Sequence, residues 1–337
     1  LKLLISSHAF PPSIGGIETV SLLLAQEFTR QGDEVVIVTQ TPNEGLEKFN
    51  WPVIRKPSLG ALFRAIQWCD IVWQNNLSLR TLWPTWILHK PAVITHQGSY
   101  CRQPSWVDLV QRIKHAVVRV TPSVAISQAV ANCFRTASVV IPNPYDAEMF
   151  KMSASEVDRS GDLIFLGRLV SEKGVDLLLE ALARLQVARP GVGLTIVGTG
   201  PEQPALVELT SRLGLHERVV FLGAQSGAAL AALLRQHKIL VVPSRYNEPF
   251  GVVALEGIAC GCAVVGSNGG GLPEAIGPCG LTFPNGDVEA LADILDQLLA
   301  KPSERRFLLE KAPKHLARFH PAVIAHEYRQ VFLSKLS

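Results

Sequence analysis

Short apolar runs alternate with amphipathic stretches along the chain of 337 residues. In the first half the runs fall at residues 2–6, 35–39, 53–54, 71–73, 92–95, 124–126 and 139–141. A helical period covers 19–31, and further amphipathic stretches separate the later runs. Runs this short and apolar throughout predict strands buried on both faces, and strand alternating with helix predicts a parallel sheet covered on each side. A polar segment at 143–161, with Pro144, three serines and mixed charge, breaks the pattern and predicts a domain boundary. The alternation then restarts. Strands are predicted at 163–166, 194–197, 219–222, 239–242, 263–266 and 280–283. Helices are predicted at 175–188, 203–213, 228–236, 288–299, 303–318 and 321–335. The whole reads as two α/β domains of like architecture, whose ligands bind at the carboxyl ends of the strands.

The stretch after the 239–242 strand carries the densest chemistry. The strand breaks at Pro243, and a polar loop follows with Glu248 in it. Pro249 suits the first turn of a helix, where its missing N–H is no loss. Glu256 follows eight residues after Glu248, which places it about two turns inside that helix. The N–H groups of Phe250, Gly251 and Val252 then point out of the helix mouth, at the positive end of its dipole, where an anion binds. Gly251 allows a ligand close to the backbone. Two carboxylates beside an anion site suit an anionic ligand whose hydroxyls need acceptors, such as a nucleotide sugar. Taken alone, the same residues also fit a strand–loop–helix unit with two surface glutamates.

Composition narrows the class. At 47% hydrophobic and 18% charged residues, the chain is globular rather than disordered. Its formal charge of +3 is too small to imply nucleic acid. The charge is uneven, with 14 Lys and Arg against 10 Asp and Glu up to Lys151, and 18 against 19 beyond it. The six cysteines, Cys69, Cys101, Cys133, Cys260, Cys262 and Cys279, follow no zinc spacing, and buried reduced thiols in a cytosolic protein are expected. No apolar run is long enough to span a membrane and no signal peptide precedes the first strand, so a cytoplasmic location is expected.

Further motifs sit at predicted strand ends. Gly15 and Gly16 follow the first strand in Pro12-Ser13-Ile14-Gly15-Gly16-Ile17-Glu18, which is not the G-x-G-x-x-G of a nicotinamide site. His96, Ser127 and Asn143 each follow a strand. Gly167-Arg168-Leu169-Val170-Ser171-Glu172-Lys173-Gly174 follows the 163–166 strand, and its Arg168 and Lys173 are two cations suited to a diphosphate leaving group. Gly198-Thr199-Gly200 and Asn268-Gly269-Gly270-Gly271 open two further turns. Each could serve as an ordinary turn.

In this order, from Pro12 to Glu274, the motifs resemble the retaining GT4-type glycosyltransferases. The resemblance rests on Glu248-x7-Glu256 with Phe250-Gly251, on the Gly167–Gly174 run, on the Gly15-Gly16 turn and on His96. Asn143-Pro144-Tyr145-Asp146 departs from the family's Asn-Gly-Val-Asp, and Cys262 replaces a common proline. The resemblance implies a GT-B fold, two Rossmann-like doubly wound parallel-sheet domains facing across a cleft. The expected organisation is an acceptor-side domain at 1–145, a linker at 146–160, a nucleotide-sugar domain at 161–320, and a helix at 321–337 packing back on the first domain. It also implies roles. Arg168 and Lys173 would stabilise the departing diphosphate, Glu248 and His96 would meet the donor sugar, and Glu256 would meet the ribose. Gly15, Gly16, Gly198, Phe250, Gly251 and Val252 would border the donor.

The expected reaction moves a sugar, with retention, from a UDP- or GDP-sugar to a glycan or lipid-linked saccharide. The leaving phosphate takes the acceptor's proton on the front face. No Asp-x-Asp occurs in the chain, so no metal and no other cofactor is expected beyond the nucleotide-sugar co-substrate. The basic stretch at 106–120, with Arg112, Lys114, His115 and Arg119, reads either as a solvated helix face or as a peripheral membrane contact. A sugar-nucleotide epimerase of the same fold and a non-catalytic sugar-nucleotide binder are the alternatives.

Overall fold

The computed structural model describes residues 1–13, 15–42, 48–98, 113, 116–118, 121–133, 139–152 and 159–336. The cations of the basic stretch at 106–120, Cys101 and residues 153–158 of the expected linker lie outside the described residues. The chain divides into two compact units. The first joins Leu1–Tyr145 to Phe319–Ser337, and the second is Asp146–Arg318.

The first unit contains strands β1 (Lys2–Ser7), β2 (Glu34–Thr39), β3 (Val53–Arg55), β4 (Ile71–Asn75), β5 (Ala92–His96), β6 (Ser123–Ala125) and β7 (Val139–Val140). Among the described residues its helices before the boundary are α1 (Gly16–Arg30), α2 (Leu59–Trp68), α3 (Leu79–Ile87) and α4 (Gln128–Ala131). The strands form one parallel sheet in the order β3-β2-β1-β4-β5-β6-β7. Strand side chains alternate between faces. Leu3 and Ile5 of β1 accordingly join Leu24 and Phe28 of α1, while Leu4 joins Leu62 and Ile66 of α2. Both faces are covered, which is why the strands read as apolar throughout.

The second unit contains β8 (Gly161–Leu166), β9 (Leu194–Val197), β10 (Val219–Phe221), β11 (His237–Val242), β12 (Ala263–Ser267) and β13 (Gly280–Phe283), parallel in the order β10-β9-β8-β11-β12-β13. Its helices are α5 (Val175–Ala188), α6 (Gln203–Arg212), α7 (Gly227–Gln236), α8 (Val252–Ala259), α9 (Leu272–Ile276), α10 (Val288–Ala300), α11 (Pro302–Leu309) and α12 (Ala312–Ala317). Leu163, Phe165, Ile239, Val241 and Val265 bury one sheet face with α5 and α10. The opposite face carries Leu240, whose side chain lies against Gly257 of α8; a Cβ there would come within 2.5 Å of it. Two parallel doubly wound sheets are thus present, as the alternation predicts and as the GT-B fold requires.

A final helix, α13 (Pro321–Leu333), belongs to the first unit. Its Ile324, Ala325, Tyr328 and Phe332 are fully buried among Phe28 and Trp73. The Phe332 ring lies 5.8 Å from Phe28, 6.4 Å from Trp73 and 5.9 Å from Tyr328, centroid to centroid. Thr95 Oγ1 accepts from Trp73 Nε1 at 2.8 Å and shares a 2.9 Å hydrogen bond with the Tyr328 hydroxyl.

Several predicted features change. The single helix predicted at 303–318 is two helices, α11 and α12. Pro313 has no N–H to give Leu309, and its ring crowds that carbonyl, so the first helix ends there. The helix predicted from Thr19 begins at Gly16, with Glu18 in its first turn. The thiols of Cys69, Cys260, Cys262 and Cys279 are free and buried, and burial pushes Cys69 and Cys262 up to about 12. The reduced-thiol expectation is corrected at Cys133, which is disulfide-bonded.

If α13 completes the first unit's core, Phe332→Ala should destabilise that unit by roughly 3–5 kcal/mol, the usual cost of emptying a buried aromatic site. Urea unfolding followed by tryptophan fluorescence would read this as a lower midpoint; an unchanged midpoint would refute the packing role.

Candidate functional site

In the second unit the strand order reverses between β8 and β11, which are neighbours with β9 outside one and β12 outside the other. Open parallel sheets bind ligands at such a switch point, beyond the carboxyl ends of the strands. Two loops meet there. One follows β8 through Arg168 and a single 3-10 turn at Ser171–Lys173. The other follows β11 from Pro243 to Gly251.

Glycines let these loops approach one another. Gly174 has a left-handed φ of 65°, and a Cβ on it would come within 2.1 Å of the Pro243 carbonyl oxygen. Arg245 N–H donates to the Glu172 carbonyl at 2.8 Å, and its guanidinium pairs with Asp176 at 2.7 Å. Gly198 has φ 139°, and a Cβ there would come within 1.8 Å of the Gly167 carbonyl oxygen. Its missing side chain is therefore accounted for by loop packing. Gly270 lies against the Glu248 carbonyl, which also accepts from Gly271 N–H at 2.7 Å.

This packing brings Lys173 to Glu248. The ammonium donates to Glu248 Oε1 at 2.6 Å, although 75 residues separate the two. Ser244 Oγ donates to the same oxygen at 2.6 Å, and the Tyr246 hydroxyl donates to Oε2 at 2.5 Å. Lys173 also donates to the Tyr246 hydroxyl at 3.3 Å and lies 5.2 Å from the ring centroid. Glu248 is buried, and Tyr246 is partly exposed at the rim. Burial first, and then the charge of Glu248, raise the Tyr246 hydroxyl well above its ordinary range, so it stays protonated. Arg168 is exposed, and its charge acts on Tyr246 in the opposite sense.

Sequence reasoning missed Ser244 and Tyr246. Both stand in the loop it singled out, but nothing in the residue pattern says which hydroxyls turn toward Glu248.

The Glu248–Glu256 helix differs from expectation. It begins at Val252, so Pro249 precedes it and Glu256 is about one turn inside rather than two. Gly251 sets the start, with φ 111°, a conformation closed to most side chains. A Cβ on Gly251 would also come within 2.6 Å of Leu272 Cδ1. Phe250 is buried and Val252 half-buried. Glu256 keeps some accessible surface, yet burial raises its carboxyl to about 7, with the charge of Asp146 adding to the effect.

The first unit has its own switch point, between β1 and β4. A cavity of about 370 Å³ opens there, lined by His8, Ile17, Asn75, Asn76, Ser78 and neighbours. Beneath it, Asn75 Nδ2 donates to Ser21 Oγ at 2.6 Å, and Gln97 Nε2 donates to Asn75 Oδ1 at 2.7 Å. Gln97 and Asn143 bond each other through both amides, at 3.1 and 2.8 Å. His96 is fully buried at the end of β5, and burial lowers its imidazole to about 4, so it is neutral near pH 7. Gly15 is the residue before α1, in extended conformation. A Cβ on it would come within 2.5 Å of Glu18 Oε2, so the space over Gly15 is filled by that carboxylate, which also accepts from Ser13 Oγ at 3.0 Å.

Among the described residues, no group of three or more His, Cys, Asp or Glu is placed to hold a metal ion. Nor is any described helix long and apolar enough to cross a membrane.

Comparison with known proteins converges on one family. Residues 146–315, nearly the whole second unit, match the family described as Glycosyl transferases group 1. The D-inositol 3-phosphate glycosyltransferase of Rhodococcus opacus (strain B4) is 35% identical over 185 residues, which is 52% of this chain and 41% of that protein. The glycogen synthase of Mycobacterium tuberculosis (strain CDC 1551 / Oshkosh) is 36% identical over 200 residues, 58% of this chain and 48% of that one. The aligned segments therefore cover less than half of these relatives' own lengths. Among solved structures, Anabaena Alr3699/HepE in complex with UDP superposes over 99% of this chain and 100% of its own, with TM-score 0.85 and 23% identity. The same protein in complex with UDP-glucose gives TM-score 0.81, with 22% identity and 99% of each chain covered.

The loop contact at Gly174 predicts a graded cost. Gly174→Ala should destabilise the second unit by roughly 2–4 kcal/mol, because left-handed strain adds to a displaced carbonyl. Gly214 has a similar φ of 70° but open space around it, so Gly214→Ala should lose only about 1 kcal/mol. Chemical denaturation of the two variants provides the comparison, and equal losses would discount the close approach.

Proposed function

Because the chain belongs to the glycosyl transferases group 1 family, we propose that it transfers a sugar from a nucleoside-diphosphate donor to a saccharide or lipid-linked acceptor, with retention. The observation that carries this reading is the Lys173–Glu248 pair at the β8/β11 switch point, within the matched segment. A cation beside a fixed, buried carboxylate suits a ligand that has a diphosphate at one end and sugar hydroxyls at the other. UDP and UDP-glucose are the ligands of the Anabaena structures that share this fold, so a uridine donor is the first to test, with a GDP-sugar next.

In this reading Arg168 and Lys173 take up negative charge as the bond between sugar and phosphate breaks. Glu248 accepts from hydroxyls of the donor sugar, and Glu256 accepts from the ribose. The backbone from Phe250 to Val252 approaches the sugar end of the diphosphate, which Gly251 permits. The leaving phosphate accepts the proton of the attacking hydroxyl on the same face, so no carboxylate nucleophile is required. Two cations in place of a metal imply turnover without a divalent ion. The amide and hydroxyl groups lining the first unit's cavity suit a hydroxyl-rich acceptor. Contact with an anionic membrane rests on the sequence of the basic stretch at 106–120 alone.

Arg168→Ala should lower kcat by at least 100-fold, the scale of removing one charge-stabilising group from a transition state. Release of UDP from UDP-glucose, followed with and without EDTA, measures this effect and the metal independence together. Near-normal turnover in the variant, or a full loss of wild-type activity with EDTA, would reject the charge-stabilising role.

The Glu256 role predicts a pH dependence. Its carboxyl titrates near 7, and ribose hydroxyls bond the ionised form. Affinity for UDP-glucose, whose diphosphate diester does not titrate in this range, should rise about tenfold between pH 6 and 8 as the ionised fraction grows. Glu256→Gln should flatten that rise in calorimetric titrations; an equal slope in the variant would assign it elsewhere.

A further inference from the structure

Both oxygens of the Glu248 carboxylate are already engaged. Oε1 takes hydrogen bonds from Lys173 and Ser244, each at 2.6 Å, and Oε2 takes one from Tyr246 at 2.5 Å. A carboxylate accepts about four hydrogen bonds. Resting on the donor-site reading above, a conflict follows. The diphosphate draws the Lys173 ammonium toward itself, while the sugar hydroxyls need Glu248 in a fixed place. A carboxylate only 6% exposed then loses the cation of Lys173 at the moment it is required to bond the substrate. Ser244 alone would hold one oxygen and leave the carboxylate plane free to turn, since the terminal torsion of a glutamate is soft.

We propose that Tyr246 is the positioning residue that keeps Glu248 aimed at the donor sugar once Lys173 has moved to the diphosphate. Its hydroxyl fixes the second oxygen, and two bonds, from Ser244 and Tyr246, set the carboxylate plane. The acceptor position given up by Lys173 becomes available to a sugar hydroxyl. The ring serves the other state, lying beside the ammonium at 5.2 Å before donor binds. Burial and the neighbouring carboxylate keep the hydroxyl protonated, as this donation requires. Tyr246 thus acts on the sugar through Glu248 and has no part in holding the nucleotide.

Tyr246→Phe removes the hydroxyl and keeps the ring. With UDP-glucose as donor, kcat for UDP release should fall roughly tenfold, the effect of leaving one oxygen of a buried charge without its donor. Affinity for UDP itself, which lacks the donor sugar, should stay within about twofold by calorimetry. A merely structural role would lower both together. In a Glu248→Gln background, Tyr246→Phe should have little further effect, as expected for two residues acting as one unit. Unchanged kcat in Tyr246→Phe, equal losses of kcat and UDP affinity, or additive losses in the double variant would each overturn the positioning role and leave the donor site standing. A wild-type protein that neither binds UDP nor releases nucleotide from UDP-, GDP- or ADP-glucose would remove both.

Discussion

The contact between two strand-end loops at Gly174 and Pro243 is the constraint on which the second unit's chemistry depends. With only hydrogen on its α-carbon, Gly174 lets the loop after β8 rest on the Pro243 carbonyl, just past β11. Lys173 is the adjacent residue, so its ammonium is delivered to the mouth of the neighbouring loop. The same device recurs around the site. Gly200 admits the Leu169 carbonyl, and Gly270 admits that of Glu248. Backbone packed on backbone makes a rigid floor, and a rigid floor is what lets hydrogen bonds of 2.5–2.6 Å converge on one carboxylate.

Electrostatics then separates the two glutamates of the motif. Glu248 is buried but given three donors, one of them cationic. Glu256 instead feels burial and a second carboxylate, Asp146, and its proton is held up to about 7. The same residue type eight positions apart therefore presents one carboxylate pinned by three donors and one carboxyl that burial has raised. A carboxyl raised by burial near a second carboxylate is a common mark of a functional site.

Much of the fold could be read from the chain because each strand, buried on both faces, writes an uninterrupted apolar run. That the Lys173 and Glu248 loops share a site followed from the rule that ligands bind at strand ends, but the direct pairing of the two side chains did not. What escaped was set by contacts far apart in sequence or by a single backbone angle. The start of α8 depends on the left-handed turn at Gly251 and on the bridge from Glu248 to Gly270, neither of which a propensity scale registers. Gly15 read as room for a ligand, whereas the carboxylate three residues on fills it. Ser244 and Tyr246 looked like ordinary loop residues, because a hydroxyl's direction is decided by the loop's path and not by its neighbours in the chain.

The second unit is one unbroken segment, whereas the first is assembled from two, separated by everything between Asp146 and Arg318. Ile324, Ala325, Tyr328 and Phe332 complete a core whose other buried members lie before residue 142. During synthesis the later-made unit can therefore finish first, while the earlier one waits on the ribosome with Phe28 and Trp73 still uncovered. That reverses the usual order in which tandem domains mature, and it leaves one apolar face of the leading segment without its cover until α13 emerges.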